Sequence, residues 1–160
     1  MIRVVIVEDE MLVRIGMKMC IEEYDPSMTV DRAFASAEEA LDYFSMETAD
    51  VLVTDIRLTG VSGLDLIREI RGKNPHMVII ILSCYEDFAY AKEAISLGVD
   101  SYVLKHEIGE EDLPKLIMEQ YRQKYPQNAG NVWESMVESR RQEQQNFGEL
   151  FLVGMFVLRR

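Results

Sequence analysis

The chain has 160 residues, of which 48% are hydrophobic and 28% charged, so it reads as a globular protein of about one domain and not as a collagen-like, mucin-like or disordered chain. Its 17 Lys and Arg against 28 Asp and Glu give a net charge of −11, which repels phosphate backbones and argues against direct nucleic-acid binding by this segment. Residues 1–125 carry all of the excess acidity, because residues 126–160 hold four basic and four acidic side chains.

No apolar run approaches the roughly 18 residues of a membrane span, and the start lacks a signal-peptide layout, so a cytoplasmic protein with no membrane contact is expected. Cys20 and Cys84 are too far apart in sequence, and too poor in neighbouring Cys or His, to suggest a disulfide framework or a zinc finger.

In chain order, Val4-Val5-Ile6-Val7 reads as a strand buried on both faces, followed by a helix with Met11, Leu12, Ile15 and Met19 as its apolar stripe. Residues 28–35 are less uniform and suit an edge strand. Ser36 caps a helix whose apolar positions are Ala40, Leu41 and Phe44. Val51-Leu52-Val53 is the next strand, and the helix after it carries Leu64, Leu66, Ile67 and Ile70 and ends at Asn74-Pro75. Val78-Ile79-Ile80-Ile81-Leu82 leads to a helix with Phe88, Ala91, Ile95 and Leu97 closed by Gly98. Tyr102-Val103-Leu104 is the fifth strand, and Leu113, Leu116, Ile117 and Tyr121 mark the last helix.

Five alternations of strand and helix predict an α/β fold, a doubly wound five-stranded parallel sheet with helices on both faces. Residues 126–131 read as a linker. Trp133, Met136, Val137, Phe147, Leu150, Phe151, Met155 and Leu158 then predict a helical segment with an apolar face that wants a partner or a following domain.

Parallel strands bring their carboxyl ends to one edge, where ligands bind in such sheets. Here those ends carry Glu8-Asp9, Asp55, Ser83 and Lys105. Three clustered carboxylates repel one another unless a hard cation takes their oxygens, which points to Mg²⁺. An aspartate beside such an ion can attack a phosphoryl group, with an ammonium and a hydroxyl neutralising the transferred oxygens.

These residues, with Val53-Thr54-Asp55-Ile56-Arg57-Leu58 and Gly63-Leu64-Asp65-Leu66-Ile67, resemble a two-component response-regulator receiver domain over residues 1–125. The resemblance implies a flavodoxin-like sheet of order 2-1-3-4-5 and phosphorylation of Asp55 by a sensor histidine kinase. It also implies Mg²⁺ held by Glu8, Asp9, Asp55 and the Arg57 carbonyl, with Ser83, Lys105 and the switch aromatic Tyr102 responding to the phosphoryl group. The output would be a remodelled face of helix four, strand five and helix five, open to homodimerisation. A phosphoacceptor with at most slow self-dephosphorylation is implied, not an enzyme.

Residues 83–92 are similar to receivers that precede AraC-type DNA-binding domains. Transcriptional output is therefore expected of a parent protein, with residues 126–160 leading to an output domain that lies beyond this sequence.

His106 stands where the family usually has proline, so a trans bond and a less firmly held Lys105 are expected. Arg57 and Tyr85 lie two residues beyond Asp55 and Ser83, positions that in the family tune attack of water on the acyl phosphate, and bulk at both predicts a long-lived phosphoryl group. Cys84 follows the switch hydroxyl and reads first as a small apolar residue. Two rival readings are a phosphate-independent interaction module and a haloacid-dehalogenase-type phosphohydrolase. The second requires an acid two residues after Asp55, where Arg57 stands.

Overall fold

The computed structural model describes residues 1–128 and Arg141. The apolar stripes expected from Trp133 to Leu158, and half of the expected linker (129–131), lie outside the described residues.

Strands β1 (Ile2–Val7), β2 (Met28–Phe34), β3 (Val51–Thr54), β4 (Val78–Ser83) and β5 (Ser101–Leu104) form one parallel sheet in the order β2-β1-β3-β4-β5. Helices α1 (Met11–Tyr24), α2 (Ala37–Phe44), α3 (Gly63–Lys73), α4 (Phe88–Ser96) and α5 (Asp112–Lys124) connect or follow the strands. This is the doubly wound arrangement read from the alternating pattern.

Two cores follow from the alternation of side chains along each strand. Val4 and Ile6 of β1, Val51 and Val53 of β3, and Val78 and Ile80 of β4 point to one face, against Met17 and Ile21 of α1 and Leu113, Ile117 and Tyr121 of α5. Val5, Val7, Leu52, Ile79 and Ile81 point to the other, against Ala40 and Phe44 of α2, Leu64, Leu66, Ile67 and Ile70 of α3, and Ala94 of α4. The three inner strands are buried along almost their whole length, which is why they read as continuous β-branched runs. Tyr102 and Val103 of β5 are only half-buried, because β5 is an edge strand like β2.

Two expected helical faces differ from the structure. Met11, Leu12, Ile15 and Met19 of α1 are exposed, and the stripe that packs is Val13, Met17, Ile21 and Tyr24. The two stripes are offset by two residues, about 200° around a helix, so they occupy opposite faces. In α4, Phe88 and Ile95 are exposed and Ala94 is the buried position.

The cap expected at Ser36 is present, its hydroxyl accepting a hydrogen bond from the Glu39 amide, and Ser62 caps α3 in the same way by accepting from the Asp65 amide. Gly98, just past α4, has φ +69, the left-handed conformation that stops a helix without a Cβ penalty. Arg71 then ties the end of α4 to the sheet by donating to the carbonyls of Leu97, Met77 and Gly98 and pairing with Asp100.

Candidate functional site at the carboxyl edge of the sheet

β1, β3, β4 and β5 all end at one edge, and the residue following or closing each strand carries the chemistry. β1 delivers Glu8 and Asp9, β3 Asp55, β4 Ser83 and β5 Lys105. Glu8 is 1% exposed and Asp55 7%, so both carboxylates are held inside the protein. One oxygen from each of Glu8, Asp9 and Asp55 lies within 4.8 Å of the others.

Lys105 closes the group. Its Nζ donates to Glu8 Oε2 at 2.6 Å and to Asp55 Oδ2 at 2.7 Å. Burial alone would lower the pKa of this ammonium, but the two carboxylates outweigh burial and raise it, so Lys105 stays charged. Burial is the largest influence on Glu8 and pushes its carboxyl up, against the opposing pull of Lys105. Among the described residues no peptide bond is cis, so Lys105–His106 is trans, as the missing proline implied. The expected loosening of Lys105 is not seen, since a short 3-10 turn, Lys105–Glu107, follows β5 and the ammonium bridges both buried carboxylates.

The backbone fixes the acceptor aspartate. The Asp55 amide donates to the Val7 carbonyl at 3.1 Å, and its carbonyl accepts from Thr54 Oγ1 at 2.8 Å. Its Oδ1 accepts from the Ile56 amide at 2.6 Å, which leaves this carboxylate engaged on both oxygens. Gly63, the first residue of α3, packs directly on this turn: a Cβ there would fall 1.8 Å from the Asp55 carbonyl oxygen.

A cavity of about 330 Å³ opens over Asp55, lined among others by Asp9, Arg57, Cys84, Tyr85 and Lys105. Its rim is aromatic and cationic. The Arg57 guanidinium lies 3.9 Å from the Tyr85 ring centroid and 5.8 Å from that of Tyr90. Cys84 is an exposed free thiol on the same rim. Ser83 is fully buried beneath the rim, and its Oγ accepts from the Tyr85 amide. Tyr102 donates from its hydroxyl to the Tyr85 carbonyl at 2.8 Å, so it reaches the β4–α4 loop without lining the cavity.

Glu8, Asp9, Asp55 and Lys105 are thus brought together, with Arg57 on the cavity wall and Ser83 and Tyr102 behind the loop that forms one side of it. Arg14 and Tyr90 were not singled out from sequence. Arg14, on α1, donates to the Glu8 carbonyl at 2.7 Å and so braces the acidic turn. Its position one helical turn into α1 was visible, but its target is a backbone oxygen that carries no sequence signal.

The model of the response regulator receiver domain matches residues 4–118. The chain is 30% identical over 105 residues to an uncharacterized transcriptional regulatory protein, YesN, of Bacillus subtilis, covering 66% of this chain and 28% of that protein. It is 34% identical over 105 residues to the transcriptional regulatory protein HptR of Staphylococcus aureus, covering 66% of this chain and 41% of that protein. The chain therefore spans well under half the length of these relatives.

Among solved structures, a DNA-binding response regulator of the LuxR family from Staphylococcus aureus superposes with a TM-score of 0.71 at 26% identity, over 76% of this chain and 99% of that one. A CheY-like receiver domain protein from Methanospirillum hungatei shares the fold, with a TM-score of 0.73 at 24% identity over 79% and 98% of the two chains. With its strand order and its strand-end acids in place, the chain belongs to the receiver domain family of two-component response regulators.

Proposed function

We propose that residues 1–125 are a phosphorylation-controlled switch in which Asp55 accepts a phosphoryl group from the phosphohistidine of a sensor kinase. The observation that carries this reading is the ammonium of Lys105 at 2.7 Å from Asp55, within a cluster that also holds Glu8 and Asp9. One Asp55 oxygen attacks phosphorus, the phosphorus–nitrogen bond breaks, and the leaving imidazole keeps its electron pair and takes a proton. Lys105 then balances the negative charge of the acyl phosphate.

The donor set suits a hard divalent cation. Glu8, Asp9 and Asp55 offer oxygens only, two of the three carboxylates are buried, and among the described residues Lys105 is the one cation paired with the cluster. Mg²⁺ held by these residues and the Arg57 carbonyl would supply charge neutralisation for the transferred oxygens.

On phosphorylation Ser83 would turn toward the phosphoryl group and free the Tyr85 amide from which its Oγ now accepts. Tyr102 is tied to the carbonyl of the same Tyr85, so movement of the β4–α4 loop would carry the aromatic ring with it. The exposed Phe88 and Ile95 of α4 lie on the face that this change remodels, and homodimerisation there would transmit it. The exposed apolar side of α1, with Leu12, Ile15 and Met19, begins directly after the acidic turn, which makes it the surface for a kinase delivering phosphate to Asp55.

The relatives are transcriptional regulators, so the parent protein is proposed to control transcription through an output domain of AraC type beyond residues 126–160. Amide NMR spectra recorded with Mg²⁺ before and after addition of beryllium fluoride, a phosphoryl mimic, test the switch. Shifts at Ser83, Tyr85, Tyr102 and along α4, absent in Asp55→Asn, are expected. Shifts unchanged by Asp55→Asn would contradict it.

A further inference from the structure

A second cluster of metal-binding side chains lies outside the acidic pocket. Glu86 is in the loop between β4 and α4, and His106 and Glu107 are in the 3-10 turn after β5. One donor atom from each lies within 4.8 Å of the other two, and all three side chains are exposed. Among the described residues, none of the three side chains has a hydrogen bond or ion pair elsewhere, and the nearby ammonium of Lys105 is committed to Glu8 and Asp55. Two carboxylates and an imidazole therefore lie close together, and among the described residues no cation pairs with them.

We propose that Glu86, His106 and Glu107 form a site for a divalent transition-metal ion of the zinc class, distinct from the oxygen-only pocket around Asp55. The donor types separate the two sites. Imidazole nitrogen favours zinc and its neighbours over Mg²⁺, whereas the pocket of Glu8, Asp9 and Asp55 offers only hard oxygens. Zinc bonds of roughly 2.0–2.2 Å place tetrahedral donors about 3.4 Å apart, so the observed spacing closes by small rotations of two exposed glutamate side chains. Three protein ligands leave a fourth position for water, and the exposed loops give the ion an entry path.

The location gives the site a consequence. Glu86 lies three residues after Ser83, and His106 directly follows Lys105. An ion held by both segments staples the loop that follows the buried hydroxyl to the turn that begins with the ammonium-bearing Lys105. This consequence rests on the phosphoryl-switch reading, but the metal site itself does not.

The test is isothermal titration of the full chain with zinc chloride at saturating Mg²⁺. It is repeated on Asp9→Asn/Asp55→Asn, which removes the acidic pocket, on His106→Ala and on Glu86→Gln, with His76→Ala as a control for the other histidine. Circular dichroism confirms that each variant is folded. The expected result is one zinc ion per chain, kept in the pocket double variant and in His76→Ala. Affinity falls about tenfold or more in His106→Ala and in Glu86→Gln. No zinc binding, binding lost with the pocket variant, or binding indifferent to His106→Ala would overturn the proposal.

Discussion

Gly63→Ala ties the fold to the site most sharply. A Cβ at this position would lie 1.8 Å from the Asp55 carbonyl oxygen, 2.8 Å from its carbon and 2.9 Å from the Ile56 Cα. Relieving the first contact requires a displacement of more than about 1 Å, and neither side gives easily. On one side the Asp55 backbone is bonded to Val7 and Thr54. On the other, α3 is anchored by buried Leu64, Leu66, Ile67 and Ile70.

The Gly63 amide also donates to the Ile56 carbonyl at 2.8 Å, and a shift of α3 weakens that bond. Overpacking against rigid backbone costs about 3 kcal/mol. With a urea slope of about 2 kcal/mol/M, the denaturation midpoint falls by roughly 1.5 M.

Gly16 of α1 and Gly72 of α3 supply the comparison, since an added Cβ at either meets no atom within 4 Å. Alanine there stabilises by about 0.5–1 kcal/mol through helix propensity. The assay is urea unfolding followed by far-ultraviolet circular dichroism, with labelling of Asp55 by a phosphodonor measured under native conditions. Gly63→Ala is expected to lose stability and to slow labelling, because a misplacement of about 1 Å at a reacting group costs up to about 100-fold. A Gly63→Ala midpoint within about 0.25 M urea of the parent, or equal losses at all three glycines, would refute the reasoning.

Three further outcomes are expected. Lys105→Met leaves Glu8 and Asp55 buried without their cation and lowers stability by about 3 kcal/mol in chelator, with recovery on adding Mg²⁺, as thermal melts would read. Arg57→Ala and Tyr85→Ala each dismantle the stacked rim over Asp55 and shorten the phosphorylated lifetime several-fold, measured by decay of the phosphoryl adduct; an unchanged lifetime would contradict this. Leu12→Ala and Ile15→Ala on the exposed side of α1 change stability by less than about 0.5 kcal/mol while slowing phosphotransfer from the cognate kinase, and equal transfer rates would remove α1 as the docking face.

Much of this fold is legible in the sequence because buried parallel strands write a simple signal. β1, β3 and β4 are flanked by neighbours on both edges and covered on both faces, so nearly every position is apolar. Once the strands are found, parallelism alone carries Glu8, Asp55, Ser83 and Lys105 to one edge. The helices are less legible. α1 has apolar residues on two opposite sides, and hydrophobicity does not say which side meets the sheet; only the docking of Met17 and Ile21 against β1 and β3 decides it.

β5 reads like an inner strand, yet its edge position leaves Tyr102 and Val103 half-exposed. The stacking of Arg57 on Tyr85, and the meeting of Glu86 with His106, join residues far apart in sequence through loops whose conformations have no periodic signature.

The central claim is that Asp55 is the phosphoacceptor of this chain. Intact mass after incubation with a small-molecule phosphodonor and Mg²⁺ tests it directly, with Asp55→Asn treated in parallel. A single phosphoryl adduct on the parent chain, lost in Asp55→Asn and in chelator, is the predicted result. A folded parent chain that acquires no adduct, or an adduct that persists in Asp55→Asn, would contradict it.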